Sequence, residues 1–222
     1  MKRTAFLLFL FCSVFAAYGQ KGDLDFYLSA KGLVDIMQMD TSLRVQLRYA
    51  LPCNFLGEAV YKGVTGAWLH SDAAAKLLKA QRLLKAKHPE LSLFIYDAAR
   101  PMSVQRAMWN LVKGTDKTKY VSNPVNGGGL HNYGMAVDLT IIAPSGKPLD
   151  MGTPFDYFGP EAHINNEDGL LKAGKISREV YNNRQLLRSI MKQAGFRTIL
   201  YEWWHFNACS REEAKAHYKL IE

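Results

Sequence analysis

The sequence predicts an α+β fold: a single domain in which helices pack against an antiparallel sheet. Three long helical segments and several short strands can be recognised, and their order is not the regular alternation of a parallel α/β fold. No internal repeat or low-complexity segment interrupts the chain of 222 residues. That length suits one domain with a sizeable hydrophobic core.

Residues 1–19 have the pattern of a secretory signal peptide. Lys2 and Arg3 precede an apolar run, and small residues stand just before Gln20. The run is short for a membrane span, so we expect no stable span after cleavage. The sequence therefore predicts an exported, periplasmic or secreted domain that comprises residues 20–222.

The charge of the chain is moderately basic. The formal net charge is +8, and Lys2 and Arg3 would leave with the signal peptide. The remaining cations are scattered, with no run of five or more. This distribution predicts no nucleic-acid partner.

Two cysteines, Cys53 and Cys209, follow the predicted signal peptide. An oxidising compartment would permit one disulfide between them. Their spacing does not decide between a bonded and a free pair.

The first half of the chain alternates between loops and regular elements. Residues 20–41 are predicted to be an extended lead-in, and residues 43–49 alternate apolar and polar side chains as a half-buried strand does. A loop over residues 50–66 leads to a helix over residues 71–87, which has helical apolar spacing and a proline after its end. Residues 91–96 then form a short apolar strand.

The middle of the chain contains a helix and a strand joined by a polar loop. A proline in its first turn starts the helix over residues 101–112. The polar loop covers residues 113–130, and residues 136–142 form an apolar strand. A Pro-Ser-Gly-Lys-Pro turn at residues 144–148 predicts a hairpin, and residues 151–175 are predicted to be mostly loop.

The C-terminal part is predicted to be a helix, a strand and a last short helix. Serine and glycine bound the helix over residues 177–194, and a capping box at residues 210–213 starts the last one. Residues 196–206 are predicted to form the strand. Glu202 and His205 lie three apart on it, so both can face one site only if the strand bulges or ends between them.

Two imidazoles and one carboxylate, from His131, Asp138 and His205, form a possible three-ligand zinc set. Glycines around His131 would let a loop histidine approach a strand aspartate. Glu202 could act as the base beside the metal. In the alternative interpretation, His131 is an ordinary loop histidine and Asp138 caps a turn. Glu202 and His205 would then lie at the edge of a strand whose tryptophans pack in the core.

Arg100 lies where a strand ends and a helix begins, a position at which functional side chains often occur. Its permanent positive charge could stabilise an oxyanion. Alternatively, it is a surface or ion-pairing residue.

Together these motifs resemble the zinc D-alanyl-D-alanine dipeptidases of the vancomycin-resistance type. The motif Gly-x-His-x-x-Gly-x-Ala-x-Asp ends at Asp138, and Glu-Trp-Trp-His ends at His205. Three further segments match in the same order, namely residues 96–101, 151–156 and 183–196. The resemblance covers about residues 33–206.

The resemblance implies a zinc enzyme that cleaves the small D-Ala-D-Ala dipeptide, with peptidoglycan fragments as a further class of partner. It implies a zinc site at the sheet, formed by His131, Asp138 and His205. It also implies that Glu202 is the general acid/base and that Arg100 stabilises the tetrahedral intermediate. Asp156 would hold the substrate's ammonium group.

One residue departs from the family pattern. The family usually has serine two residues before the first zinc histidine, where this chain has Gly129.

Two other functions stay open at this point. One is a D,D- or L,D-carboxypeptidase that trims peptidoglycan stem peptides with the same zinc set. The other is a non-catalytic wall-binding module built on a peptidase scaffold.

Overall fold

The computed structural model describes residues 22–222, and the predicted signal peptide lies outside this range. The fold is α+β, as the sequence predicts. The strands are β1 (Val34–Asp35), β2 (Arg44–Val45), β3 (Trp68–Leu69), β4 (Ser92–Asp97), β5 (Ala136–Ile142), β6 (Arg197–Thr198) and β7 (His205–Asn207). The helices are α1 (Asp23–Ala30), α2 (Ile36–Met39), α3 (Ser71–Lys87), α4 (Met102–Val112), α5 (Glu167–Lys172), α6 (Arg178–Ala194) and α7 (Arg211–His217).

A five-stranded sheet in the order β2-β4-β5-β7-β6 forms the centre of the domain. Its pairings are antiparallel, as expected, except that β2 runs parallel to β4. All seven residues of β5 are buried, so this strand lies in the core on both faces. Helices α3 and α6 pack against each other, and α3 also packs on β4.

The long helices begin and end close to the predicted residues. Ser177 caps α6 by accepting a hydrogen bond from the Val180 amide, and Gly195 ends the helix in the left-handed conformation. The predicted capping box of Ser210 and Glu213 is present at α7. Ser71 at the start of α3 would be expected to cap that helix, but the cap is His70, whose side chain accepts a hydrogen bond from the Asp72 amide.

The N-terminal lead-in is not extended, which corrects the prediction for residues 20–41. It contains α1 and α2, and β1 pairs with β3. The buried carboxylate of Asp25 in α1 accepts hydrogen bonds from the amides of Thr65 and Gly66 and from Trp68 Nε1. Because these partners lie about 40 residues further along the chain, the local sequence could not indicate this helix.

The predicted strand over residues 43–49 is also shorter than expected. Only β2 lies in the sheet, and a 3-10 turn follows at Arg48–Ala50. The backbone leaves the sheet because the Tyr49 side chain enters an aromatic cluster with Phe55, Tyr61 and Phe155.

The predicted strand over residues 196–206 is wrong in its middle. Strands β6 and β7 are separate and pair with each other, and residues 199–204 turn between them. Trp203 donates from Nε1 to the Thr153 hydroxyl, and Trp204 packs on Phe155. Adjacent residues of a regular strand face opposite sides, so two tryptophans that pack on one segment require a turn.

Shorter differences occur in the other loops. The segment over residues 151–175 contains α5, and the loop over residues 113–130 contains two 3-10 turns. The predicted hairpin after β5 is reduced to a turn with one bridge, between Ile142 and Pro148. Cys53 is exposed and Cys209 is buried, and both are free. Within residues 22–222, no helix combines the length and the apolar character needed to cross a membrane.

Candidate active site

Three neighbouring strands bring functional side chains into one row across the sheet. Asp138 of β5 pairs with His205 of β7 on one side and with Asp97 of β4 on the other. The second pairing depends on an irregularity in β4, because Ile95 pairs with Leu139 but Asp97 pairs with Asp138. The extra residue of this β-bulge therefore places Asp97, a buried acid, beside Asp138.

His131 reaches the same row from a 3-10 turn, Leu130–Tyr133, which immediately precedes β5. Gly134 ends the turn with a positive φ of 65°. A Cβ atom at Gly134 would lie 2.9 Å from the backbone nitrogen of His70. Only glycine fits this close approach in this conformation, and it lets the turn fold back over the strand.

One ligand atom from each of His131, Asp138 and His205 converges on a common point. His131 Nε2 lies 3.2 Å from Asp138 Oδ1 and 3.2 Å from His205 Nδ1, and His205 Nδ1 lies 2.9 Å from Asp138 Oδ1. For tetrahedral metal–ligand bonds of about 2.0–2.1 Å, ligand atoms stand roughly 3.3 Å apart. The three distances therefore suit a common metal ion.

The outer nitrogens of both rings are already occupied. His131 Nδ1 lies 2.7 Å from the Ala98 carbonyl oxygen, which can only accept, and His205 Nε2 lies 2.8 Å from Asn207 Oδ1. In the neutral rings, each inner nitrogen then directs a lone pair at the Asp138 carboxylate. Three lone pairs aimed at one point repel one another unless a cation lies between them. The residues present therefore fit a metal ion.

The Asp138 carboxylate is stabilised in its charged form. Burial raises the pKa of this group, but when a proton takes the place of the metal on the inner ring nitrogens, the charge and hydrogen bonds of His131 and then His205 outweigh burial and lower the pKa from its ordinary value. A metal ligand must be deprotonated to bind. Asp138 therefore meets this requirement at neutral pH.

Arg100 lies behind the metal ligands and is held by several partners. Its guanidinium donates to Asp97 Oδ2 at 3.0 Å from Nε and to Gln105 Oε1 at 3.0 Å from Nη1, and it lies over the Tyr49 ring. Arg100 Nη2 is 3.8 Å from Asp138 Oδ2. These partners fix the orientation of the guanidinium. Its positive charge therefore lies close to the site, although Arg100 is not one of the three candidate metal ligands.

Glu202 lies in the turn before β7 and not on the strand itself. The spacing of three residues therefore does not place Glu202 and His205 on opposite faces. Glu202 Oε2 is 3.9 Å from His205 Nδ1, so both side chains reach the same site. Burial, together with the negative charges of Asp138 and Asp156, raises the pKa of Glu202 to about 8. A carboxyl group with a pKa near neutrality can both accept and return a proton.

Asp156 is the one non-glycine residue with positive φ in the described range 22–222, with a value of 61°. Such backbone strain is common at functional positions. The Tyr49 hydroxyl donates to its carboxylate at 3.0 and 3.1 Å. Burial, followed by the charge of Asp138, raises the pKa of Asp156 well above its ordinary value. The carboxylate thus lacks a full positive counter-charge.

One pocket with a volume of about 390 Å³ contains all of these groups. Every site residue that the sequence analysis selected lines it. The six residues are Arg100, His131, Asp138, Asp156, Glu202 and His205.

Comparisons with known proteins identify relatives of this chain. Residues 29–221 match the peptidase family described as D-ala-D-ala dipeptidase. The chain belongs to this family. A D-alanyl-D-alanine dipeptidase of Escherichia coli (strain K12) is 34% identical over 174 residues, covering 78% of this chain and 83% of that protein. A D-alanyl-D-alanine dipeptidase of Enterococcus faecium is 30% identical over 183 residues, covering 74% of this chain and 85% of that protein.

Among solved structures, an LD-carboxypeptidase aligns with a TM-score of 0.39 and 19% identity, covering 67% of this chain and 63% of that one. The sequence relatives, not this alignment, establish the family. Membership makes the protein a peptidase and supports an enzyme over a non-catalytic wall-binding module.

In this dipeptidase-family protein, the loop that carries Asp156 is fastened to α6. The buried Arg184 donates from Nε and Nη2 to the Met151 carbonyl at 2.8 and 2.6 Å, and from Nη2 to the Glu161 carbonyl at 2.8 Å. Asn183 donates to the Asp150 carbonyl at 2.9 Å. These contacts lie on both sides of Asp156, so they help to hold it in its strained conformation.

Sequence reasoning missed several residues of the peptidase site. Asp97 lies inside the matched segment over residues 96–101, but its pairing with Asp138 depends on the bulge. Asn207 lies two residues after His205, a spacing that places both on the same face of β7 and could have indicated it. Tyr49 and Gln105 gave no signal, because their roles arise from contacts distant in sequence.

We expect Asn207→Ala to weaken metal binding without removing a ligand. The substitution frees His205 Nε2, so the tautomer and the ring orientation are no longer fixed. Loss of such a supporting hydrogen bond typically costs about 10–100-fold in metal affinity. Titration with Zn²⁺ against a competing chelator measures it, and the exposed Asn110→Ala is the matched control. Unchanged affinity in Asn207→Ala would contradict the assigned role.

Proposed function

We propose that this protein is a zinc-dependent dipeptidase that hydrolyses the free D-Ala-D-Ala dipeptide. The observation that carries the proposal is the pocket in which a three-ligand metal set, Glu202, Arg100 and Asp156 meet. The curated relatives of this chain carry the name D-alanyl-D-alanine dipeptidase, which supports the substrate.

Zinc is the metal that the donor set favours. Two imidazole nitrogens and one carboxylate oxygen form a typical catalytic zinc set with a position left for water or substrate. Bound there by His131, Asp138 and His205, zinc would supply Lewis-acid polarisation of the carbonyl and a water of lowered pKa.

Glu202 and Arg100 divide the remaining chemistry between them. Glu202 takes up the proton of the attacking water on its carboxylate and delivers it to the leaving amine. Arg100 is held by Asp97 and Gln105, so its guanidinium can stabilise a developing oxyanion without first reorganising. The buried Trp204 lines the pocket with Glu202 and limits the access of bulk water there, which strengthens these electrostatic interactions.

Asp156 restricts the substrate to peptides with a free N-terminus. Its carboxylate lines the pocket, and among residues 22–222 the Tyr49 hydroxyl is its one hydrogen-bond donor. A substrate ammonium group supplies the missing positive charge. An acylated amine is neutral and bulkier, so it would leave Asp156 without that charge. This favours a dipeptidase over a carboxypeptidase that acts on longer stem peptides.

Hydrolysis of D-Ala-D-Ala and of N-acetyl-D-Ala-D-Ala by the zinc-loaded protein tests the proposal. We expect cleavage of the free dipeptide only, and loss of that cleavage on addition of a chelator. Asp156→Asn should raise the KM for the free dipeptide about tenfold or more, since a hydrogen bond to a charged group contributes about 1.5–3 kcal/mol.

The acetylated substrate separates the two candidate peptidases. Cleavage of the acetylated dipeptide at a comparable rate would favour the D,D- or L,D-carboxypeptidase and remove Asp156 from the site. Cleavage of neither peptide would refute the substrate assignment while leaving the metal set unaffected.

We expect Glu202→Gln to retain the metal and to lose at least about 10²-fold in kcat, the lower range for general acid–base catalysis. Glutamine has nearly the same shape but cannot take up the proton. The metal content per chain and kcat should be measured on the same preparation. Near-normal turnover would exclude the proton-transfer role, and loss of metal would show that Glu202 supports the ligands instead.

We also propose that the protein is exported and acts in the periplasm or outside the cell. The proposal is supported by the basic, apolar and small-residue pattern of residues 1–19. Expression of the full chain should give a mature protein that begins at Gln20, which intact-mass measurement determines directly. An uncleaved chain in the cytoplasm would contradict export.

A further inference from the structure

The backbone beside the metal histidine leaves a space that a side chain from another loop fills. A Cβ atom at Gly129 would lie 2.9 Å from Ser122 Oγ and 3.3 Å from Ser122 Cβ. Gly129 has an extended backbone, with φ −108° and ψ −177°, which any residue can adopt. Glycine at this position therefore provides room for Ser122, not an unusual conformation.

Ser122 is tied to the catalytic arginine through one glutamine. The Ser122 carbonyl accepts a hydrogen bond of 2.7 Å from Gln105 Nε2, and Gln105 Oε1 accepts one of 3.0 Å from Arg100. The buried Gln105 thus fixes both the guanidinium and the loop that presents Ser122. These two hydrogen bonds fix the position of Ser122 relative to Arg100.

The hydroxyl of Ser122 is available to a ligand. Ser122 is half-buried and lines the same pocket as the metal set and Gly129. Across residues 22–222, no side chain or backbone group makes a hydrogen bond with its Oγ. A pocket-lining hydroxyl without a protein partner can donate a hydrogen bond to a bound substrate.

The charges nearby indicate which end of the substrate lies there. Arg211 donates from Nη2 to the carbonyls of Asn126 and Gly128 at 3.0 and 2.8 Å, so its guanidinium lies against the segment that leads into Gly129. Arg211 also lines the pocket. A free dipeptide has an ammonium at one end and a carboxylate at the other. Asp156 suits the ammonium, and the surroundings of Arg211 suit the carboxylate.

We propose that Ser122 is a substrate-binding residue whose hydroxyl donates to the C-terminal carboxylate of the dipeptide, in the space that Gly129 leaves open. The proposal rests on the function proposed above. It also accounts for the departure from the family pattern at Gly129, because the hydroxyl absent from that position is supplied by a residue of a different loop.

Ser122→Ala tests the hydroxyl itself. We expect KM for D-Ala-D-Ala to rise about tenfold, with kcat changed less than about threefold, because the lost contact is made equally in the ground and transition states. The C-terminal amide of the dipeptide is the matched substrate. The parent protein should prefer the free acid, and Ser122→Ala should lose about tenfold of that preference.

Exchange of the two side chains tests their spatial relation. Gly129→Ser alone should crowd Ser122 and raise KM, and Ser122→Gly alone should raise KM by loss of the hydroxyl. The double variant Gly129→Ser with Ser122→Gly should bring KM back to within about threefold of the parent value, a non-additive result that indicates direct contact. Melting temperatures of all four proteins show whether folding is affected.

The outcomes distinguish this proposal from the proposed function. If the parent hydrolyses D-Ala-D-Ala but Ser122→Ala has parental KM and parental preference for the acid, only the role of Ser122 is refuted. A purely structural role would lower kcat and the melting temperature together, with no recovery in the double variant, and would also refute it. If the parent hydrolyses neither the acid nor the amide, the proposed function fails, and the carboxylate contact fails with it.

Discussion

The site depends on one electrostatic constraint: three lone pairs meet at a point that only a cation can occupy favourably. The sheet register sets Asp138 opposite His205, and a turn closed by Gly134 brings His131 above them. Hydrogen bonds to the Ala98 carbonyl and to Asn207 then fix which nitrogen of each ring faces inward. The backbone and its nearest partners thus set the positions and orientations of the three side chains.

The surrounding charges are consistent with that constraint. Four acids, Asp97, Asp138, Asp156 and Glu202, lie around the guanidinium of Arg100. Buried carboxylates without counter-charge are strongly unfavourable, and burial, together with the neighbouring negative charges, raises the pKa values of Asp156 and Glu202. A divalent metal and a substrate ammonium would restore the balance. Under the function proposed above, the pocket would select a substrate that is positive at one end, in addition to a metal.

The local sequence predicted the parts of the fold that local signals determine. Capping serines, a C-terminal glycine and helical apolar spacing located α3, α6 and α7. It failed where tertiary contacts decide: α1 depends on the contacts of Asp25 with distant residues, and the turn before β7 depends on the packing of two adjacent tryptophans. The six candidate site residues could be selected from motifs and from the resemblance. Their supporting partners could not, because Asp97 depends on a bulge and Tyr49 on a loop that leaves the sheet.

Gly129 has one meaning along the chain and another in the folded protein. Read along the chain, glycine in place of serine looks like the loss of a polar contact. Read in space, Ser122 Oγ stands only 2.9 Å from where a Cβ at Gly129 would lie. A side chain at Gly129 would force the Ser122 hydroxyl to shift. A pocket constrains which chemical group occupies a volume, and it does not constrain which segment supplies the group. Ser122 is fixed through Gln105 to Arg100, so on our proposal its loop would supply this contact while the motif that carries His131 and Asp138 stays intact.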